Sequence, residues 1–249
     1  MNLDDVKAEY LANGYAKIPR VFGNYEIDAI RDESYRLINT MPVEKRRQVL
    51  QSKGNYPSLL FWPQDLSSYM KEVSQDDRLK QIVTYFLGPN VRQLNNQVYF
   101  RQSGDKDEFA WHQDICFRTP PADFNNIEEK YLQTIIVVDE IKGNGAVEFI
   151  PGSHRWGEVP ELVPRDDSEK GLRKFVRGQW KGEKFEAQPG DVLIWSVMVV
   201  HGSEQNNSGR NRMTYMNGFC AEDALLNKKR FPIYCRSEDA AEGTSQGKI

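Results

Sequence analysis

Val91-Arg92-Gln93-Leu94-Asn95-Asn96-Gln97-Val98-Tyr99-Phe100-Arg101 opens a series of short runs in which β-branched and aromatic residues are mixed with polar ones. Successive side chains of a strand point to opposite faces, so such runs read as strands with buried sides. Further runs lie at Phe109 to Phe117, Gln133 to Val138, Ala146 to Ile150, Val192 to Trp195 and Arg212 to Phe219, divided by Gly, Pro, Asn and Asp. Many short strands in succession predict a sandwich or jelly roll. Upstream the period changes. Apolar residues at helical spacing (Leu3, Val6, Tyr10, Leu11, then Ile27, Ile30, Tyr35, Leu37, Ile38) predict helices over 3–13 and 24–39, with a short strand after Gly14. Helical patterns recur at 63–73 and 76–87, the second stopped by Gly88-Pro89.

The expected architecture is therefore mainly β with flanking helices. One domain is expected over 1–235, helix-rich over 1–90 with its β core over 91–220, followed by a flexible tail over 236–249. The charged, Gly-containing stretch from Pro164 to Lys184 reads as a loop or short helix between strands. With 249 residues, 39% hydrophobic and 28% charged, the chain can bury a sizeable core.

Thirty-three Lys and Arg stand against 36 Asp and Glu, a net charge of −3, so no global positive field is present to hold nucleic acid or an anionic membrane. No apolar run is long enough to span a bilayer and the start is acidic, so the expected location is cytoplasmic. Cys116, Cys220 and Cys235 form no CxxC pair, which argues against a zinc ribbon or a disulfide framework.

The chain holds only three histidines. His112 and Asp114 are two apart in a run read as a strand, so both would enter one face and supply two corners of a two-histidine, one-carboxylate metal site. Isolated His-x-Asp pairs are common, and a carboxylate orienting a surface imidazole is the ordinary reading. The third ligand is either His201, which ends the apolar run Val192 to Val200, or His154 in the turn Pro151-Gly152-Ser153-His154. The strand-end position favours His201.

Five blocks in order resemble the phytanoyl-CoA dioxygenase family: Trp111-His112-Gln113-Asp114, Asp139 through Ala146, Phe149-Ile150-Pro151-Gly152-Ser153-His154, Pro189-Gly190-Asp191-Val192, and His201-Gly202-Ser203 with Arg210 and Arg212. They cover about residues 91–220. The resemblance implies a double-stranded β-helix, the cupin-like jelly roll, and an iron(II)- and 2-oxoglutarate-dependent dioxygenase that also consumes O2 and releases succinate and CO2. His112, Asp114 and His201 become the iron ligands. The arginine that takes the distal carboxylate of 2-oxoglutarate would be Arg212, with Arg210 its close rival, and Ser203 would assist. A guanidinium suits that task because its planar fork can grip a carboxylate through two charge-assisted bonds. Gln97 and Tyr99, on the strand before the first ligand, are further cosubstrate contacts by the same resemblance.

Trp111 and Trp195 are candidates for the pocket wall, although tryptophan near a strand end is more often packing. Cys116 and Arg118 share the His112 face if the strand stays regular. Halogenating relatives lack the carboxylate ligand, so Asp114 favours hydroxylation, while desaturation, epimerisation and ring formation use the same ligands. The expected partner is a small metabolite or natural-product intermediate. A cupin-type enzyme that needs no 2-oxo acid, or a non-catalytic metal or metabolite sensor, is the rival reading.

Overall fold

The structure, a computed structural model, describes residues 2–41, 59–104, 109–118, 120–162 and 180–236. Two antiparallel sheets face each other. The larger takes its strands in the order β1 (Tyr15–Ile18), β8 (Val192–Trp195), β5 (Tyr131–Val137), β10 (Arg212–Ala221), β3 (Val91–Arg101) and β11 (Ile233–Cys235), with β2 (Leu59–Phe61) also on β3. The smaller runs β4 (Phe109–His112), β9 (His201–Ser203), β6 (Val147–Phe149) and β7 (Glu183–Lys184). Among the described residues, four α-helices, α1 (Leu3–Asn13), α2 (Asn24–Thr40), α3 (Ser68–Ser74) and α4 (Asp77–Leu87), come before β3.

Strand β5 explains how the layers share one sequence. All seven of its residues are buried, which a two-sided core requires. Leu132 and Ile136 face the helices and join Ile27, Ile30, Ile38, Met70, Leu79 and Ile82 in one cluster. Ile135 and Val137 face the smaller sheet and pack with Leu193, Trp195 and Phe149. The period-2 alternation thus separates a core that joins helices to sheet from a core between the sheets.

Helix boundaries follow local chemistry. Asn2 caps α1, its side chain accepting from the Asp4 N–H, and Gly14 in the left-handed conformation closes it on the Tyr10 carbonyl. The helix expected over 63–73 is broken. Pro63–Asp65 form a single 3-10 turn, and Ser67, accepting from the Met70 N–H, starts α3 afresh. The strand expected to reach Phe117 ends at His112, and Asp114–Phe117 form a 3-10 turn. The apolar run from Val192 to Val200 is likewise divided: β8 stops at Trp195, the chain turns at Ser196 to Val200, and His201 opens β9 in the other sheet. Most of the stretch expected as a loop from Pro164 lies outside the described residues, and its last two residues form β7. The expected tail lies outside them as well, apart from Arg236.

Candidate metal and cosubstrate site

His112 and His201 are direct cross-strand partners of β4 and β9, with ring centroids 4.1 Å apart. Although β4 ends at His112, Gln113 remains extended and carries Asp114 back to the same side. Gln113 is fixed by its own amide, which donates to the carbonyls of Gly157 and Met198 and accepts from the Val159 N–H. The ligand atoms of His112, Asp114 and His201 all lie within 4.8 Å of one another, and all three residues are buried. Each imidazole Nε2 is 3.7 Å from Asp114 Oδ1.

The surrounding bonds orient these groups as ligands. Trp195 Nε1 donates to Asp114 Oδ2 at 2.9 Å, which leaves Oδ1 turned toward the imidazoles. His201 Nδ1 lies 3.0 Å from the Val199 carbonyl, which can only accept, so Nδ1 carries the proton and Nε2 offers its lone pair. Burial pushes the Asp114 carboxyl up, yet His201, His112, Arg118 and the Trp195 N–H outweigh it and hold it below the ordinary value. A buried carboxylate between two imidazoles fits a divalent metal of intermediate softness, with positions left open for other ligands.

On the inner face of the larger sheet, Arg212 is 5% exposed and donates to the Gly145 carbonyl. The loop that supplies this carbonyl is shaped by Asn144, whose side chain accepts from the Lys142 N–H at 3.0 Å and donates to the Glu140 carbonyl at 2.7 Å. Gly145 has φ +71, and a Cβ there would stand 2.7 Å from the Glu204 carbonyl oxygen. Ser203 is buried beside this end and accepts from Arg101 Nη2 at 2.9 Å. Arg101 is the cross-strand partner of Arg212.

A family model described as phytanoyl-CoA dioxygenase matches residues 10–214. The chain belongs to the phytanoyl-CoA dioxygenase family. It is accordingly an iron(II)- and 2-oxoglutarate-dependent dioxygenase with the jelly-roll fold. Its relatives include the ectoine dioxygenase of Bordetella parapertussis, 23% identical over 256 residues that cover 97% of this chain and 82% of the relative. Similar solved structures include the epimerase SnoN in complex with Fe3+, alpha ketoglutarate and nogalamycin RO, at TM-score 0.72 and 19% identity, covering 93% of this chain and 98% of that one. EctD from S. alaskensis with 2-oxoglutarate and 5-hydroxyectoine aligns at TM-score 0.71 and 19% identity over 90% of this chain and 77% of that one. The likeness to these structures concerns the fold.

For this phytanoyl-CoA dioxygenase family member, the remaining candidates separate by position. Arg210, the rival of Arg212, precedes β10, is exposed and pairs with Glu140 at 2.7 Å, so it does not share the buried position of Arg212. Gln97 and Tyr99 are opposite Met216 and Thr214, with Tyr99 buried and Gln97 half-buried. His154 is away from His112, Asp114 and His201, its ring against Gly14, where a Cβ would lie 2.6 Å from Nδ1. Burial, then the adjacent Arg155 charge, push the His154 imidazole down. Its neighbour Ser153 accepts from the Val200 N–H at 2.8 Å and so fixes the backbone just before His201. Trp111 packs with Ile150, Leu162 and Val200 in a separate cluster, whereas Trp195 touches the site. Burial, then the Asp114 carboxylate, push the Cys116 thiol up to about 12, which keeps it protonated. Arg101 and the Trp195 bond were not legible from sequence. The parity that Arg101 shares with Gln97 and Tyr99 was the available signal.

Proposed function

We propose that His112, Asp114 and His201 hold the iron, that Arg212 and Ser203 bind the distal carboxylate of 2-oxoglutarate, and that the enzyme hydroxylates a C–H bond of a small metabolite or natural-product intermediate. The observation that carries this reading is the buried triad with a buried arginine that points between the same two sheets. When bound, iron supplies the sites for the 2-oxo acid and O2 and the oxidising power. The chain supplies placement. Trp195 keeps one carboxylate oxygen of Asp114 from rotating, and the Val199 carbonyl keeps His201 in the ligating tautomer. The buried rings of Phe149 and Trp195 lie 5.7 and 5.5 Å from the His201 imidazole and exclude water on that side.

Arg212 suits the cosubstrate better than Arg210, because only Arg212 is buried and points between the sheets. A guanidinium in that setting meets a carboxylate with little screening. Asp114 occupies the corner that a halide would need, which favours hydroxylation over halogenation. Iron-loaded protein supplied with 2-oxoglutarate and O2 is expected to form succinate, and a substrate from a metabolite panel is expected to gain one oxygen atom. Iron-bound protein that forms no succinate with any compound would move it to the sensor or cupin-type reading. A product lacking the added oxygen would point to desaturation, epimerisation or ring formation.

A further inference from the structure

The inner face of the larger sheet carries a polar cluster on the side of the metal ligands away from Arg212. Asn95, Gly218, Gln133 and Trp195 are successive cross-strand partners on β3, β10, β5 and β8. Trp195 is the residue that holds Asp114. Asn95 Nδ2 donates to the Tyr131 hydroxyl at 3.3 Å and to Gln133 Oε1 at 3.1 Å, and the Tyr131 hydroxyl donates to Gln133 Oε1 at 2.6 Å. Gly218 makes room for this group: a Cβ there would lie 2.2 Å from the Tyr131 hydroxyl and 2.7 Å from the Asn95 amide nitrogen.

Arg118 closes the cluster from the other side. It follows the 3-10 turn after Asp114, its Nη2 donates to the Tyr131 hydroxyl at 2.7 Å, and its guanidinium lies 4.6 Å from the Tyr131 ring centroid. Two polar atoms of the cluster are buried without a hydrogen-bond partner, the donor Arg118 Nε and the acceptor Asn95 Oδ1. Leaving such atoms unpaired is costly, so they mark a place where a ligand is wanted. Asn95 itself is only 9% exposed.

We propose that Arg118, Asn95 and Tyr131 form the substrate-recognition pocket, with a substrate carboxylate on Arg118 and a hydrogen-bond donor of the same molecule on Asn95 Oδ1. The proposal rests on the oxygenase reading above. The pocket is separate from the cosubstrate end: three two-residue steps along β3 divide Asn95 from Arg101, the partner of Arg212, which is about 20 Å of strand. A single guanidinium balances one negative charge, which suits a monocarboxylate better than a dianion such as a phosphate monoester. Phe117, 49% exposed and edge-on to His112 at 5.6 Å, offers an apolar surface next to the metal. The substrate class is therefore a monocarboxylate that also bears an amine or hydroxyl and an apolar part.

The test is calorimetric titration of anaerobic, iron(II)-loaded protein saturated with 2-oxoglutarate, using hydrocinnamate and its neutral amide. Hydrocinnamate is expected to bind about tenfold more tightly than the amide. Arg118→Gln should reduce that preference to within about twofold, Arg118→Lys should retain part of it, and Lys229→Gln, an exposed control, should leave it intact. Adding an amine to the probe, as in 3-amino-3-phenylpropanoate, should tighten binding a few-fold, and Asn95→Leu should remove that gain. Hydrocinnamate that fails to bind at millimolar concentration, binds no better than its amide, or keeps its preference in Arg118→Gln overturns the proposal. So does an affinity that falls as 2-oxoglutarate is raised, which would put the carboxylate on Arg212. Wild-type protein that does not bind 2-oxoglutarate at all refutes the oxygenase reading first and takes this proposal with it.

Discussion

Asp114 divides its oxygens between two tasks, one accepting from the Trp195 indole and the other facing two imidazoles. Trp195→Phe keeps the ring and removes the N–H, and should weaken iron(II) binding roughly tenfold or more with little change in fold, as is usual when a partner of a ligand is lost. Iron titration followed by far-UV circular dichroism separates the two effects. Arg210→Ala should leave the 2-oxoglutarate Kd unchanged, because that side chain is exposed and bonded to Glu140 and the Lys142 carbonyl. The grouping of His112, Asp114 and His201 was legible in the sequence, since imidazole and carboxylate declare their chemistry and only three histidines had to be sorted. The Trp195 bond was not, because it joins residues 81 apart in sequence that meet only when the sheets face each other. Arg101 was missed for a related reason: a strand-end arginine reads as a solvated charge until its neighbour across the sheet is known to be Arg212.

At the scale of elements, loops and turns place the chemistry as much as strands do. The Glu140 to Gly145 loop presents a carbonyl to Arg212 and is held by the two hydrogen bonds of the buried Asn144 side chain. Asn144→Ala should cost about 1–3 kcal/mol of stability and weaken 2-oxoglutarate binding, read by urea denaturation and by calorimetry. An unchanged cosubstrate Kd in a destabilised variant would mean that the loop does not position the arginine. Long strands such as Val91–Arg101 were read with their observed limits because alternation persists over many residues. The strand Val192–Trp195 was legible as well, but the apolar run resumes after Ser196 and continues to Val200, so it does not show that the chain crosses between sheets from the point where the Ser196 N–H donates to the Gly14 carbonyl. The Phe109 to Phe117 run reads as one strand although it holds a strand and a 3-10 turn, and Asp114 still meets His112 because Gln113 stays extended between them.

Across the whole molecule, the larger sheet has one face for stability and another for chemistry. Ile30 is fully buried in the cluster between helices and sheet, so Ile30→Ala should lower unfolding stability by about 2–5 kcal/mol while iron and 2-oxoglutarate affinities stay within twofold. Urea denaturation and cosubstrate titration on one preparation would check both halves. No helix among the described residues is long and apolar enough to cross a membrane. The mainly β, helix-flanked architecture was legible from the change of period near residue 91, whereas which strands become neighbours depends on long-range pairing that local pattern does not encode. The central claim is that the space between the two sheets holds iron on His112, Asp114 and His201 and 2-oxoglutarate against Arg212. Its most direct test is the visible charge-transfer absorption formed when 2-oxoglutarate is added to anaerobic iron(II)-loaded protein. The account predicts a band in the wild type, no band in His201→Ala, and a band in Arg212→Ala that needs about thirtyfold more 2-oxoglutarate, the equivalent of about 2 kcal/mol. Iron-bound wild-type protein that gives no band, or a band indifferent to both substitutions, would contradict it.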